Sequence, residues 1–596
     1  MKPPPKGWSE ATELLAFKVL TAADVGPAWV GTFRSAGNFA MEDDTSCARA
    51  SVPPAPKKER NKTPKNSRCL RLRPTMKSVL TLLGLLTLPA AFAAERPNIL
   101  FIAVDDLRPE FGAYGASYIE SPNLDRIAKE GITFQRAYCQ QAVCSPSRTS
   151  LLTGTRPDTN KVWDLVTHFR VALPDVVTLP QLFKNSGYFV QGMGKIYHGS
   201  LDDPRSWSVP WGTPKADTYA LPENVKLNAR RYGADPGGAN APEAKAKGKG
   251  KAKAAAPAVG QTTRSVPDGM PTARNLRGPA FEGADVPDNF FQDGKVAELA
   301  VETLRDMSKK KEPFFLAVGF VKPHLPFVAP KKYWDLYDSA KIELAPNKFR
   351  PRGAPDYAIL PGGELRNYHG IPEGSLPDDL ARQLKHGYYA ATSYMDAQVG
   401  KVLDELDRLD LRKNTIVILW GDHGWKLGEH DAWCKHTNTE NDTNTALLLS
   451  VPGMKNAGAK TKAIVEFVDI YPTLAELAGL PLPKHLEGVS FKPLLDDPTR
   501  PWKSAAFSQY PRATGKSGAG QLMGYSMRTE RYRFTVWVNR TDHTEIDAIE
   551  LYDHQLDPQE NGNVAEAPGN AELVQKLMTQ WTKGWQGAKP GAVSKL

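Results

Sequence analysis

Five separated stretches of this chain carry side chains that could do chemistry together. Asp105 and Asp106 are adjacent, Cys144 stands four residues before Arg148, Lys195 precedes His198 by three, His324 follows Lys322-Pro323, and Asp422-His423 is followed by Lys435. Asp105, Asp106 and Asp422 are hard oxygen donors suited to Ca2+ or Mg2+, with His423 beside them. Arg148, Lys195 and Lys435 are cations of the kind that neutralise a tetrahedral oxyanion. His198 and His324 can carry protons. The run Val143-Cys-Ser-Pro-Ser-Arg148 is expected to open a short helix: Ser145 as its cap, Pro146 in the first turn, and Gly154 at the end. Backbone N–H groups and the positive helix end then face the cysteine, and Arg148 adds a fixed cation, which together make an anion-binding nest around a nucleophile.

The elements that must position these groups read as alternating strands and helices. Asn98–Val104 is a continuous apolar run, as expected of a strand covered on both faces, and it ends at Asp105-Asp106. Ser121 is expected to cap a helix through Lys129, and Thr178–Asn185 reads as another helix. Tyr188–Gly194 reads as a strand that runs into Lys195-Ile-Tyr-His198, and Pro313–Phe320 as a buried strand that runs into Lys322-Pro-His324. Helices are expected at Gly294–Ser308 and Leu380–Leu409, and Thr415–Trp420 is a further buried strand that ends at Gly421-Asp-His-Gly424. Carboxylates and histidines at strand ends sit where open α/β sheets carry their sites, so the layout predicts an α/β sandwich with its site at one sheet edge. A helix through Ala478 and the Leu494-Leu495 segment close this large domain, assigned to 94–500. Beyond it, alternation over Tyr525–Val538, punctuation at Glu550–Asp553 and a last helix Ala571–Trp585 predict a small antiparallel subdomain over 501–596. Residues about 200–285, which include a Lys/Ala/Gly/Pro tract, lose all periodicity and are expected to form a flexible surface insertion.

The chain has 596 residues and a formal charge of +10. That charge is no sign of a nucleic-acid partner, because residues 1–75 alone hold 13 basic against 7 acidic residues and the tract Lys245–Lys253 carries five lysines. Residues 1–75 read as a disordered or spurious extension. Residues 76–93 have a lysine, an apolar core and an Ala91-Phe92-Ala93 ending, the pattern of a secretory signal too short for a stable membrane span. The working protein is expected to begin near Ala94, exported to a periplasmic or extracellular space.

Several runs in order give the chain a family resemblance: Gln140-Gln-Ala-Val-Cys-Ser-Pro-Ser-Arg148, Arg156-Pro-Asp-Thr159, Gly194-Lys-Ile-Tyr-His198, Lys322-Pro-His-Leu-Pro-Phe327 and Asp422-His-Gly-Trp-Lys-Leu-Gly-Glu-His430. From about Asn98 to the C-terminus it resembles the formylglycine-dependent sulfatases, most like their iduronate-2-sulfatase branch and its bacterial relatives. The resemblance implies an alkaline-phosphatase-like fold, with a mostly parallel mixed sheet. It implies a formylglycine-generating enzyme as maturation partner, which oxidises Cys144 to an aldehyde whose hydrate attacks sulfur. It favours one calcium ion held by Asp105, Asp106, Asp422, His423 and the matured Cys144 oxygen. It gives Arg148, Lys195 and Lys435 to the sulfate, His198 to the base that collapses the enzyme sulfate ester, and His324 and Lys435 to the leaving oxygen. The expected substrate is a sulfated carbohydrate, such as a 2-O-sulfated uronate in polysaccharide fragments. Trp163, His168 and Trp425 stand beside the matching motifs as sugar contacts or as packing residues. Conversion of Cys144 would leave Cys139 and Cys434 in the exported chain, and these are expected to pair. The chain departs from the pattern at Asn444-Thr445-Ala446, where relatives tend to carry an arginine followed by Val-Pro. Two rival readings are a phosphonate or phosphate monoester hydrolase on the same scaffold, and a glycan-binding protein in which Cys144 stays a thiol.

Overall fold

The computed structural model describes residues 96–230, 277–360, 363–513 and 521–591. Its central sheet has seven strands: β1 (Asn98–Val104), β2 (Ile132–Phe134), β3 (Phe189–Gly194), β4 (Phe314–Phe320), β5 (Thr415–Gly421), β6 (Leu447–Ser450) and β7 (Ala459–Thr461). They lie in the order β7-β2-β6-β5-β1-β4-β3, and only β6 runs antiparallel to its neighbours. Every residue of β1 is buried, as a strand with cover on both faces requires. Side chains alternate along a strand, so β1 feeds two cores. Leu100, Ile102 and Val104 pack with Ile127, Val296, Leu384 and Val399 on one side, while Ile99, Phe101 and Ala103 pack with Leu151, Phe183, Ile470 and Leu474 on the other. Burying each such side chain contributes roughly 1.5–3 kcal/mol, and a truncation such as Phe101→Ala removes about 3–5 kcal/mol.

This topology brings the chemistry to one edge. In register, Val104 of β1 lies beside Gly421 of β5 and Phe320 of β4, and Gly194 of β3 lies beside Gly319 of β4. Four adjacent parallel strands therefore end together, at Asp105, Asp422, Val321 and Lys195. The ladder continues one step beyond the strands, with Asp105 N donating to Phe320 O at 3.2 Å and Asp422 N to Val104 O at 3.0 Å. Close approach at the β3–β4 end depends on glycine: Gly194 has φ +67°, and a Cβ on Gly319 would lie 2.3 Å from the Lys195 carbonyl carbon.

Four antiparallel strands follow in sequence order, Ala505–Arg512, Leu522–Thr529, Tyr532–Asn539 and Ile546–Asp553. The first of them docks beside the segment that leads to Cys144: Gln509 N donates to Gln140 O at 2.8 Å and the Ser508 hydroxyl to Cys139 O. Glu550–Asp553, expected as punctuation, is instead the end of the fourth strand, where Glu550 accepts from Trp537 Nε1 at 2.6 Å. The last helix runs Ala571–Thr582, and a short turn, Gly584–Gly587, restarts after Gly584 at φ +61°.

The insertion is narrower than the sequence suggested. Residues 231–276, including the Lys/Ala/Gly/Pro tract, lie outside the described residues, but both flanks are built in: Trp207 and Tyr219 are buried, Pro222–Arg230 is helical, and Arg277–Pro279 pairs with Tyr368–His369. Two large aromatic anchors in an aperiodic stretch supply the burial that periodicity did not signal. The extension and the signal-like segment before Arg96 also lie outside the described residues. Among the described residues no helix is long and apolar enough to cross a membrane.

Candidate active site

The nucleophile helix runs Cys144–Thr153 and all ten residues are buried. It starts two residues earlier than a Ser145 cap would give, after extended Val143, and Ser145 does not cap it. The serine that matters is Ser147, whose hydroxyl donates to Asp422 O and ties the helix start to the end of β5. Gly154 ends the helix in the left-handed region, as expected. Ser121 likewise makes no cap bond to its helix, Pro122–Glu130, because its hydroxyl accepts from Gly112 N at 3.2 Å.

Cys144 Sγ lies 3.4 Å from Asp105 Oδ1, 3.4 Å from His423 Nε2 and 3.5 Å from Lys195 Nζ. Ligand atoms from Asp105, Asp106, Cys144 and His423, all four buried, lie within 4.8 Å of one another. Asp422 joins them through Oδ1, which is 3.5 Å from His423 Nε2 and accepts from Asp106 N at 3.0 Å. Its other oxygen is taken by Arg148 Nε at 2.8 Å. Asp106 holds φ +58°, a left-handed conformation that Asp tolerates better than most residues and that turns consecutive carboxylates inward. Tyr388, from the long helix Asp378–Arg408, locks this turn by donating to Asp106 O at 2.8 Å.

Cations surround the carboxylates. Arg148 has no exposed side chain, reaches Asp105 through Nη2 at 3.2 Å and Ile196 O through Nη1 at 3.1 Å, and stacks 5.5 Å from the Trp420 ring. Lys195 Nζ pairs with Asp105 Oδ2. Lys435 Nζ lies 3.1 Å from Asp106 Oδ1 and 2.7 Å from Glu364 Oε2. His324 Nε2 faces Glu364 Oε1 at 3.3 Å, with Asp106 at 3.9 Å and Asp105 at 4.0 Å. Although burial disfavours charge at Asp105, Lys195, His324 and Arg148 hold its carboxyl well below the usual range. At Asp106 burial prevails, helped by Asp105, Glu364 and Asp422 against Lys435, and its pKa is pushed well up. Burial, offset by Glu364, brings His324 down to about 3, and burial with Lys195 nearby brings His198 down to about 4.

Three carboxylates, an imidazole and the Cys144 position crowd one buried point. That donor set fits a hard divalent cation. The structure thus brings together nine of the ten expected groups through direct contacts. The tenth, His198, is half-buried on the same loop as Lys195, and its Nδ1 is a buried nitrogen without a hydrogen-bond partner.

Comparisons with known proteins give the family. The sulfatase family model matches residues 97–480. This chain belongs to the sulfatase family. As a sulfatase it is a sulfuric ester hydrolase on an alkaline-phosphatase-like fold. A second model, described as N-sulphoglucosamine sulphohydrolase, C-terminal, matches residues 428–586 of this sulfatase. It is 35% identical to mouse iduronate 2-sulfatase over 557 residues, which covers 81% of this chain and 94% of that one. Identity to human iduronate 2-sulfatase is 34%, with 81% and 93% covered. Among solved structures, the phosphonate monoester hydrolase of Silicibacter pomeroyi superposes with a TM-score of 0.61 at 20% identity, covering 84% of this chain and 97% of that one.

Among the neighbouring residues the expected disulfide fails, and the aromatic candidates divide between packing and half-buried positions. Cys139 and Cys434 are both free thiols: Cys139 Sγ faces Asp442 O at 3.8 Å, while Cys434 Sγ accepts from Glu364 N at 3.2 Å and lies 3.3 Å from His436 Nδ1. Trp425 is fully buried against Phe327 and lies under Lys435 Nζ at 4.8 Å, so it packs and does not stack on sugar. His168 stacks on Phe169 at 4.6 Å and its Nδ1 accepts from Arg170 N. Trp163 is half-buried, donates to Asp158 at 3.1 Å and has Arg540 4.3 Å above its ring. Asn444, at the departure from the family pattern, donates to Glu440 Oε1 at 3.2 Å and Gln135 O at 3.3 Å. Sequence reasoning missed Glu364 and Tyr388, which lie in no recognisable motif, and Asp293, which accepts from Val321 N and Lys322 N and so fixes the loop that carries His324.

Proposed function

We propose that this sulfatase is an exported, calcium-dependent enzyme that removes sulfate from carbohydrate through a formylglycine made from Cys144. The observation that carries this reading is the convergence of Asp105, Asp106, Cys144 and His423 on one point, with Lys195, Arg148 and Lys435 around it. Asp105, Asp106, Asp422, His423 and the oxygen on matured Cys144 would hold the ion, which when bound withdraws charge from a sulfate oxygen and acidifies a neighbouring hydroxyl. Arg148 keeps the carboxylates oriented, and Lys195 and Lys435 neutralise the sulfate and the charge that develops as the S–O bond breaks. His198 stays neutral at ordinary pH, as a base must, and takes the proton that regenerates the aldehyde. His324 and Lys435 face the leaving oxygen, and Lys435, kept protonated against burial by Asp106 and Glu364, is the one that holds a proton to give it at ordinary pH.

The substrate reading, a sulfated uronate in oligosaccharide fragments, is supported by likeness to proteins named iduronate 2-sulfatase that extends over most of both chains. Export is supported by the signal-like residues 76–93. The test has two arms: mass spectrometry of the Cys144 peptide from the native host, and initial rates over a panel of sulfated oligosaccharides beside an aryl sulfate and an aryl phosphonate. Formylglycine at Cys144 with preference for a sulfated sugar is the expected result. A thiol in every preparation, or faster phosphonate cleavage, would overturn the proposal.

A further inference from the structure

Glu364 lies on a short helical turn, Gly363–Asn367, far in sequence from every motif. Its carboxylate is shared among three cationic or proton-carrying groups. Oε2 accepts from Lys435 Nζ at 2.7 Å, and Oε1 lies 3.3 Å from His324 Nε2 and 3.1 Å from Arg277 Nη1. The turn itself is clamped. Glu364 N donates to the sulfur of Cys434, the residue before Lys435, and Arg277 also donates to Tyr368 OH at 3.1 Å from a strand paired with Tyr368–His369. The carboxylate is thus fixed from two sides, with 13% of its side chain exposed.

A plain structural ion pair needs one cation, yet here the two groups proposed to face the leaving oxygen meet on one acid. Lys435 is also within 3.1 and 3.2 Å of both oxygens of Asp106, which belongs to the metal-binding cluster. Without Glu364 the ammonium would be held by Asp106 alone, and its charge would compete for oxygens that a cation needs. His324 is constrained in the same way: Nδ1 is 2.5 Å from Leu325 O, so its free edge is Nε2, which faces Glu364.

We propose, on the basis of the sulfatase reading above, that Glu364 is a positioning residue for the leaving-group side of the reaction. It shares Lys435 with the metal-binding Asp106 and turns Lys435 Nζ and His324 Nε2 toward one carboxylate. In the step it serves, the attacking oxygen forms a bond to sulfur, and the bond from sulfur to the sugar oxygen breaks. The electron pair stays on the sugar oxygen, which takes a proton from the Lys435 ammonium and leaves as an alcohol. A well-oriented general acid is typically worth 10²–10⁴ in rate, and its value grows as the leaving group becomes a poorer one.

The leaving group supplies the test. 4-Nitrocatechol leaves readily without a proton, whereas a sugar alcohol does not. In Glu364→Gln, kcat on the sulfated disaccharide that the wild type turns over best should fall by about 30–100-fold, with KM changed by less than about 3-fold, since position and not the acid itself is lost. On 4-nitrocatechol sulfate kcat should fall by about 3-fold or less. Glu364→Asp keeps the charge and should recover part of the sugar-sulfate rate. Formylglycine occupancy by mass and the circular-dichroism spectrum should match the wild type, which separates positioning from misfolding. An equal loss on both substrates, or an undiminished rate on the sulfated sugar, overturns the inference. A wild type that carries formylglycine and cleaves neither substrate overturns the sulfatase reading and this inference with it.

Discussion

Replacing Arg533 with methionine should destabilise this protein in a pH-dependent way that its geometry sets in advance. Arg533 is 1% exposed, pairs with Glu440 and Glu560, and donates to Ser526 at 3.2 Å and Thr443 at 3.1 Å. Among the described residues Glu440 keeps Arg528 at 2.9 Å, and Glu560 keeps His554 at 2.9 Å and the Glu440 N–H at 2.8 Å. Burial opposes charge on Glu440, but Arg528 and Arg533 hold its carboxyl down at about 2, and Glu560 is held lower still by Arg533 and His554. A depression from 4.5 to about 2 corresponds to roughly 3 kcal/mol. Taking half of that for Arg533, and at least as much again from Glu560, gives about 3–4 kcal/mol, within the range of about 3–5 kcal/mol for breaking a buried pair. Both carboxylates have folded pKa values below their unfolded ones. Their contribution is therefore present above about pH 4.5 and is lost as pH falls from there toward about 2. Arg533→Met lacks that share, so its deficit of about 3–4 kcal/mol at pH 7 should shrink once pH drops below about 4.5. Urea unfolding followed by tryptophan fluorescence at pH 7, 5, 4 and 3.5 measures it. A gap under about 1 kcal/mol at pH 7, or one that does not narrow in acid, would refute the reasoning.

Two further predictions concern the site. His198→Ala should release about one equivalent of 4-nitrocatechol per active site in a fast phase and then turn over slowly, because the first S–O cleavage does not need that base; a loss of the fast phase to the same extent as turnover would count against the assignment. In the wild type His198 becomes protonated only as pH falls through about 4, so its acid limb should appear near pH 4, with no limb near the ordinary histidine value of 6.5. Chelation should lower the melting temperature of the wild type by the equivalent of about 2.7 kcal/mol if calcium was present at 100 times its dissociation constant. Asp106→Asn should abolish that response, and a wild type indifferent to chelator would remove the ion from the account.

The parts of this molecule that could be read from the sequence share a physical cause. A strand covered on both faces has to be apolar throughout, so Asn98–Val104 and Thr415–Gly421 announce themselves, and a carboxylate that follows such a run has no role in the core it ends. That is why Asp105, Asp422, Lys195 and His324 were visible one by one: each marks the point where an apolar run stops and a loop begins at the same edge of the sheet. What stayed hidden depends on distances that no run of residues encodes. Glu364 and Lys435 meet across 71 positions, with one partner on an aperiodic turn. Two thiols that the count paired face different groups, since parity fixes how many bonds can form but not where a chain puts its sulfurs. Ser145 has the right type for a cap, yet the extended Val143 moves the helix start to Cys144, and the hydroxyl two residues further on becomes the one that reaches Asp422. Residue type and periodicity therefore locate the strand ends, while the orientation of Lys435 and His324 at those ends is decided by a carboxylate that only the folded chain brings there.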